Sequence, residues 1–302
     1  MNTLTDEELR AMFQRCSNWG RWGDDDQAGT LNLITPEKRR EAAGLVRSGR
    51  SGSFTRPLSK VRDEVNVRPL YHHMTTSAHN RYIGAHDWVG ISCHGLANTH
   101  LDALSHSEFE GKVYNGRDWK DTWTFEGMAW CDITAQVQGI VTRGVLLDVA
   151  TAHGGQWIDT EDYVTVADLE RAEESAGVRV TSGDALFVHS GLRAQEAHQG
   201  AYQSVTDRAG LHAECVEWMH QRGVAVYGGD CVERMPYPSV AVPMPLHMIG
   251  CVAMGLCLLD YPEVTTLLEM CAAEERYEFL FTCAPLAIPG GTGSAANPVA
   301  TF

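Results

Sequence analysis

Between Cys93 and His106 the chain reads CHGLANTHLDALSH, which places His94, His100, Asp102 and His106 within fourteen residues. His100 and Asp102 are two apart. In an extended backbone both side chains leave the same face, with Cα atoms roughly 7 Å apart, and can converge on one ion. Neutral imidazole with carboxylate suits Zn²⁺ or Mn²⁺, and a site that keeps one coordination position open for water is a catalytic one. Water on such an ion reaches a pKa of about 7 and can attack an amide or ester carbonyl. His106, four residues beyond Asp102, is then free to take a proton from that water and return it to the leaving group. The same spacing also fits a polar turn with hydrogen-bonded histidines, and spacing alone leaves both readings open.

Other residues could contribute. Seven of the thirteen histidines (72, 73, 79, 86, 94, 100 and 106) fall between positions 72 and 106, far more than an even spread would leave there. The nine cysteines form no C-x-x-C pair and are odd in number, so neither a disulfide framework nor a cysteine zinc site is indicated. Cys93 beside the histidines could be an activated nucleophile, with a reduced core cysteine as the ordinary alternative. In the loop WGRWGDDDQAGTLNLI, Trp19 and Trp22 either pack beneath a neighbouring element or line a ligand pocket. His189 and Asp230, at the ends of expected strands, either orient ligating groups or are hydrogen-bonded core residues.

The elements that must position these residues alternate. Thr5 with Glu8 makes a capping box, and TPEKRREAAGLVRSG offers Thr35 as N-cap, Pro36 at the first helical position and Gly49 as stop. Two helices therefore occupy the first fifty residues. RGVLLDVA (143–150), GDALFVHSG (183–191) and VAVYGGD read as strands, TVADLERAEESAGV and LHAECVEWMHQRG as helices. TTLLEMCAAEERYEFLFTCAPLAI reads as a helix passing into a strand that stops at Pro289, before a GGTGS turn. Alternating helices and apolar strands imply an α/β architecture around a buried sheet.

Composition bounds the function. With 44% hydrophobic and 21% charged residues over 302 positions, the chain has the make-up of an ordinary globular protein. A net charge of −15, with no basic cluster, argues against nucleic acid and against anionic membranes. The start MNTLTDEELRAMFQRC lacks the pattern of a signal peptide, so the expected location is cytoplasmic. No repeat or linker divides the chain, and a single domain over 1–302, with a helical arm over 1–50 packing on it, is the simplest organisation.

THLDALSH resembles the signature H-x-G-T-H-x-D-x-P-x-H of the cyclase family that includes bacterial kynurenine formamidase and isatin hydrolase. The likeness extends to WGRWGDDDQAGTLNLITPEKRR, to LFVHSG and VYGGD, and to RYEFLFTCAPLAIPGGTGSAANPVA, and so covers most of the chain. It implies a swivelling β/β/α-type single domain with a mixed sheet, assembled as a homodimer or homotetramer. Carried across by position, it makes His100 and Asp102 metal ligands and His106 the general acid/base. The motif's first histidine should stand four before His100, where this chain has Leu96; Asn98 replaces its glycine and no proline follows Asp102. His94, two residues earlier, is the substitute that a bulged strand would offer, and His86 a weaker one. The family's later histidine and acid correspond to His247 and Asp260, although two complete metal sites are not expected. The family's N-terminal tryptophan points to Trp19 and Trp22 as substrate-facing residues.

The expected function is a metal-dependent hydrolase, using Zn²⁺ or Mn²⁺, that opens an amide or ester bond in a small cyclic or aromatic substrate. Two alternatives stay open: a biosynthetic cyclase or dehydratase using the same groups, and a metal-free binding protein.

Overall fold

The computed structural model describes residues 4–79 and 82–302, with side chains at all of these except 77–79, 82, 83 and 202–204. Nine strands form one sheet: β1 (Ser51–Ser53), β2 (His100–Asp102), β3 (Ile140–Asp148), β4 (Ala185–His189), β5 (Val226–Gly229), β6 (Cys257–Asp260), β7 (Glu278–Cys283), β8 (Gly293–Ala295) and β9 (Val299–Thr301). Their spatial order is β1-β9-β7-β3-β4-β5-β6-β2-β8. The four central strands, β3 to β6, run parallel. The strands flanking them on both sides pair antiparallel, so the sheet is mixed as expected.

The parallel strands are apolar on both faces, and alternate residues feed two cores. Val145, Leu147, Leu186, Val188 and Leu258 join one, with Leu9, Met12, Phe13 and Cys16 from the first helix. Leu146, Phe187 and Leu259 join the other, with Phe54, Phe279, Phe281 and Phe302. Each such ring or branched side chain stabilises the fold by roughly 1.5–3 kcal/mol on burial, and the period of two sends consecutive residues to opposite layers. The two-sided pattern explains why these strands read as continuous apolar runs.

The caps form where the sequence places them. Thr5 and Glu8 close a capping box on helix Asp6–Cys16, Thr35 caps Pro36–Ala43, and Thr165 with Asp168 caps Val166–Ala176. The second helix stops earlier than Gly49: Gly44 takes its C-cap, and Gly49 instead turns the chain (φ 73°) towards β1 while donating its N–H to the Phe302 carbonyl. The expected GGTGS turn also differs, because Gly293–Ala295 forms strand β8 against β2. A π-helix, Leu246–Met254, leads into β6 and ends at Gly255. There the backbone of Gly29 crosses so closely that a Cβ at position 29 would lie 2.2 Å from the Gly255 carbonyl oxygen. Among the described residues no helix is long and apolar enough to cross a membrane.

Candidate metal centre

β2 is three residues long and is paired on both sides, with Asp260 opposite His100 and Gly293 opposite Asp102. His100 and Asp102 therefore share one face of a buried strand, as their spacing requires. Directly opposed residues of an antiparallel pair share a face too, which brings Asp260 beside His100. Opposite Asp102 the absence of a side chain makes room for His94: a Cβ at Gly293 would lie 2.6 Å from His94 Cε1.

His94 does reach the site, from a loop rather than a bulged strand, helped by Gly95 at φ 118°. Its Nδ1 lies 3.0 Å from Asp102 Oδ1, and its Nε2 contacts the Thr292 hydroxyl at 2.9 Å. Leu96 only lines the cavity; its carbonyl accepts a hydrogen bond from the buried Arg56 guanidinium at 2.9 Å, which ties down the loop. His247 enters from the first turn of the π-helix, with Nε2 3.7 Å from both Asp102 Oδ2 and Asp260 Oδ2. His106 stacks on His94 with ring centroids 3.8 Å apart.

Donor bookkeeping defines what the cluster can hold. Asp102 is 1% exposed, yet neither carboxylate oxygen accepts a hydrogen bond, and His94 Nδ1 likewise has no hydrogen-bond partner despite its closeness. His100 Nδ1 lies 2.9 Å from the Asn98 carbonyl, so its proton belongs there and Nε2 turns a lone pair towards Asp102, 3.5 Å away. Glu233 accepts from both the backbone N–H and Nδ1 of His247, at 2.8 and 2.7 Å, leaving His247 Nε2 as a second inward acceptor. Buried acceptors facing one another are costly unless a cation lies between them. The groups form two overlapping sets, His94, His100 and Asp102, and Asp102, His106 and His247, in each of which the potential ligand atoms lie within 4.8 Å of one another. Imidazoles plus one shared carboxylate match a divalent ion, and His247–Glu233 has the form of a ligand oriented by a carboxylate behind it.

Charge follows the same geometry. Burial opposes a charge on Asp102, but His94 and the neighbouring His100, His106 and His247 hold it well below the usual carboxylate range. Burial and the proximity of Asp102 push Asp260 up. Burial also opposes protonation of His94 and His247, yet Asp102 raises the former to about 10, and Glu233, Asp260 and Asp102 raise the latter to about 10. Protons there do what a metal ion would do. His106 goes the other way: burial, with His94, His247 and His100 outweighing the pull of Asp102, lowers it to about 4 and keeps it neutral at pH 7.

The other sequence candidates lie elsewhere. Trp19 and Trp22 do not border the cavity within this chain: the Trp19 indole Nε1–H donates to the Val252 carbonyl at 2.7 Å with its ring edge-on to Phe13, and the Trp22 ring lies 4.7 Å from the Arg21 guanidinium carbon. His72, His73 and His86 belong to the hairpin Tyr71–His79 with Tyr82–Gly90, outside both ligand sets; the His79 side chain is outside the described residues. Asp230 is committed to the amides of Ser190, Gly191 and Leu192, and His189 contacts Asp148 at 2.8 Å. All nine cysteines are free. Sequence reading missed Glu233, three residues past Asp230; an acid in the loop that follows a strand at the carboxyl edge of a parallel sheet was the available signal.

This fold and cluster define a cyclase-type α/β protein. The family model described as "Putative cyclase" matches residues 55–234, and the chain belongs to that family. A solved structure of a novel cyclase is 28% identical, with a TM-score of 0.85, covering 95% of this chain and 100% of its own. An isatin hydrolase bound to the product analogue thioisatinate shares the fold at 17% identity and a TM-score of 0.58, over 85% of this chain and 93% of its own. No curated protein sequence matches significantly.

Proposed function

We propose that the protein is a metal-dependent hydrolase of amide or ester bonds in small cyclic or aromatic substrates. The observation that supports this most directly is the buried Asp102 carboxylate, which accepts no hydrogen bond although ring nitrogens of His94, His100 and His247 converge on it at 3.0–3.7 Å. His94, His100, Asp102 and His247 would hold the ion, zinc or manganese, with Asp260 beside them. When bound, the ion supplies Lewis acidity to the carbonyl under attack.

The chain's own residues supply the rest. Glu233 fixes the tautomer and direction of His247. His106, neutral at pH 7, stands free of the hydrogen bonds that fix the other imidazoles and takes the proton of the attacking water. The water oxygen bonds to the carbonyl carbon, the C–N or C–O bond breaks, and His106 returns the proton to the departing nitrogen or oxygen. The acyl half leaves as a carboxylate. Elemental analysis of untagged protein, alongside assays of arylformamides, lactams and lactones with added Zn²⁺ or Mn²⁺, tests the reading. The expected result is about one bound equivalent or more, hydrolysis that needs it, and a His106→Ala variant that keeps the metal but loses roughly 10²–10⁴ in rate. A folded protein that takes up neither ion overturns it.

A further inference from the structure

The cavity in front of this cluster has a volume of about 140 Å³, and its lining includes Arg208 and Tyr261 as well as His94, His100, His106 and His247. Arg208 is 7% exposed, and among the described residues no carboxylate lies within ion-pair distance of it. Its backbone pairs with Met235, and among the described residues its side chain makes one hydrogen bond, a long one of 3.5 Å from Nε to the Glu233 carbonyl. Its guanidinium carbon lies 5.8 Å from the centre of the Tyr261 ring. The other buried arginine over that ring, Arg56, donates Nη1 to the Leu96 carbonyl and has Glu263 3.9 Å away, although its Nε and Nη2 find no hydrogen-bond partner.

Tyr261 is also incomplete. It is 3% exposed, and its hydroxyl has no hydrogen-bond partner. Its backbone is left-handed, φ 52°, a conformation that a tyrosine keeps only where its surroundings hold it. Thr99 contributes to that hold by donating to the Tyr261 carbonyl at 2.8 Å. A buried guanidinium without a counter-charge and a buried hydroxyl without a partner, side by side on a cavity wall, are both costly unless something entering the cavity satisfies them. The group that satisfies both is a carboxylate, which accepts from the planar guanidinium and from O–H alike.

We infer that Arg208 and the Tyr261 hydroxyl form a carboxylate-recognising wall, so that the substrate is a small acid whose carboxylate stands apart from the bond to be hydrolysed. The inference rests on the hydrolytic reading for the word substrate, and binding is therefore measured separately from turnover. The probes are 2-formamidobenzoate, an arylformamide bearing a carboxylate, its neutral counterpart formanilide, and benzoate. Calorimetric titration of each is carried out on protein stripped of metal and on protein supplied with zinc.

The expected result is binding of both anions with and without zinc, and a preference for 2-formamidobenzoate over formanilide of about tenfold or more. Arg208→Gln removes that preference, Arg208→Lys retains part of it, and Tyr261→Phe reduces it by a few-fold. Tyr261→Phe keeps the question answerable should Arg208→Gln fail to fold. An anion preference that appears only with zinc and survives Arg208→Gln puts the carboxylate on the ion and overturns the inference. So does the absence of binding by either anion at millimolar concentration. Anion binding lost in Arg208→Gln, in a protein that hydrolyses none of the amides, upholds the recognition wall while the hydrolase reading fails.

Discussion

Two aspartates in this protein are equally buried and are treated in opposite ways. Asp184, at the start of β4, is fully enclosed and surrounded by donors: Lys38 Nζ at 2.6 Å, Arg143 at 2.6 and 3.0 Å, and the Thr181 amide at 2.7 Å. Asp102, no more accessible, meets only imidazole nitrogens, none of which completes a hydrogen bond to it. A buried carboxylate is tolerated when its charge and lone pairs are matched. At Asp184 the match is built from the chain, and the result is structural. At Asp102 it is left to something outside the chain, and that difference separates a fold-holding charge from a candidate ligand.

The contrast can be broken most sharply by mutating both. Asp184→Ala should cost about 3–5 kcal/mol of stability in urea unfolding, because Lys38 and Arg143 are left buried without their partner. Asp102→Asn should lower the zinc affinity by at least about 100-fold while costing the metal-free protein less than Asp184→Ala does, because the imidazoles left behind can give up their protons whereas Lys38 and Arg143 stay charged. If Asp102→Asn destabilises the metal-free protein as much as Asp184→Ala does, the distinction fails. A finer test is Glu233→Gln, which keeps an acceptor for His247 but weakens its hold; zinc competition titration should show a loss of about tenfold, near the low end for a carboxylate behind a ligand.

The smallest effect concerns His189, whose partner is supplied by the chain. Burial opposes its charge, but Asp148 at 2.8 Å, aided by Asp230, raises its pKa above the ordinary 6.5, while Asp148, despite its own burial, is lowered by His189. A raised histidine stabilises fully below its unfolded value and loses that contribution as pH climbs through the folded one. A lowered aspartate stabilises above its ordinary 3.8. The parent should therefore exceed His189→Gln by about 1 kcal/mol between those two values, with the gap narrowing above pH 6.5. A gap that widens with rising pH contradicts the pairing.

What sequence revealed of the site follows from range. His100 and Asp102 were legible because a strand's period of two is local, and the capping boxes were legible for the same reason. His94 was legible only as a substitute, since its approach depends on Gly293 and Thr292, nearly two hundred residues away. Glu233 and Arg208 carry no local pattern: each matters through what it does or does not meet across the fold. The histidine-rich segment from 72 to 86 shows the converse, a compositional signal that the hairpin carries outside both ligand sets. The loop of Trp19 and Trp22 offers little apolar sequence and so leaves packing and pocket-lining both open, whereas the helix Asp6–Cys16 and the π-helix supply Trp19 with its packing and its acceptor.

The π-helix between His247 and Gly255 gives the protein an unusual sensitivity to length. Such turns hold one residue more than an α-helix does, and here the far end is pinned where Gly29 crosses Gly255. Deleting any one residue from 248 to 253 would force the segment to rewind between its pinned end and His247, which turns and shifts that side chain relative to Asp102. Homologues should therefore tolerate exchanges of side chain along this stretch far more readily than a change in its count.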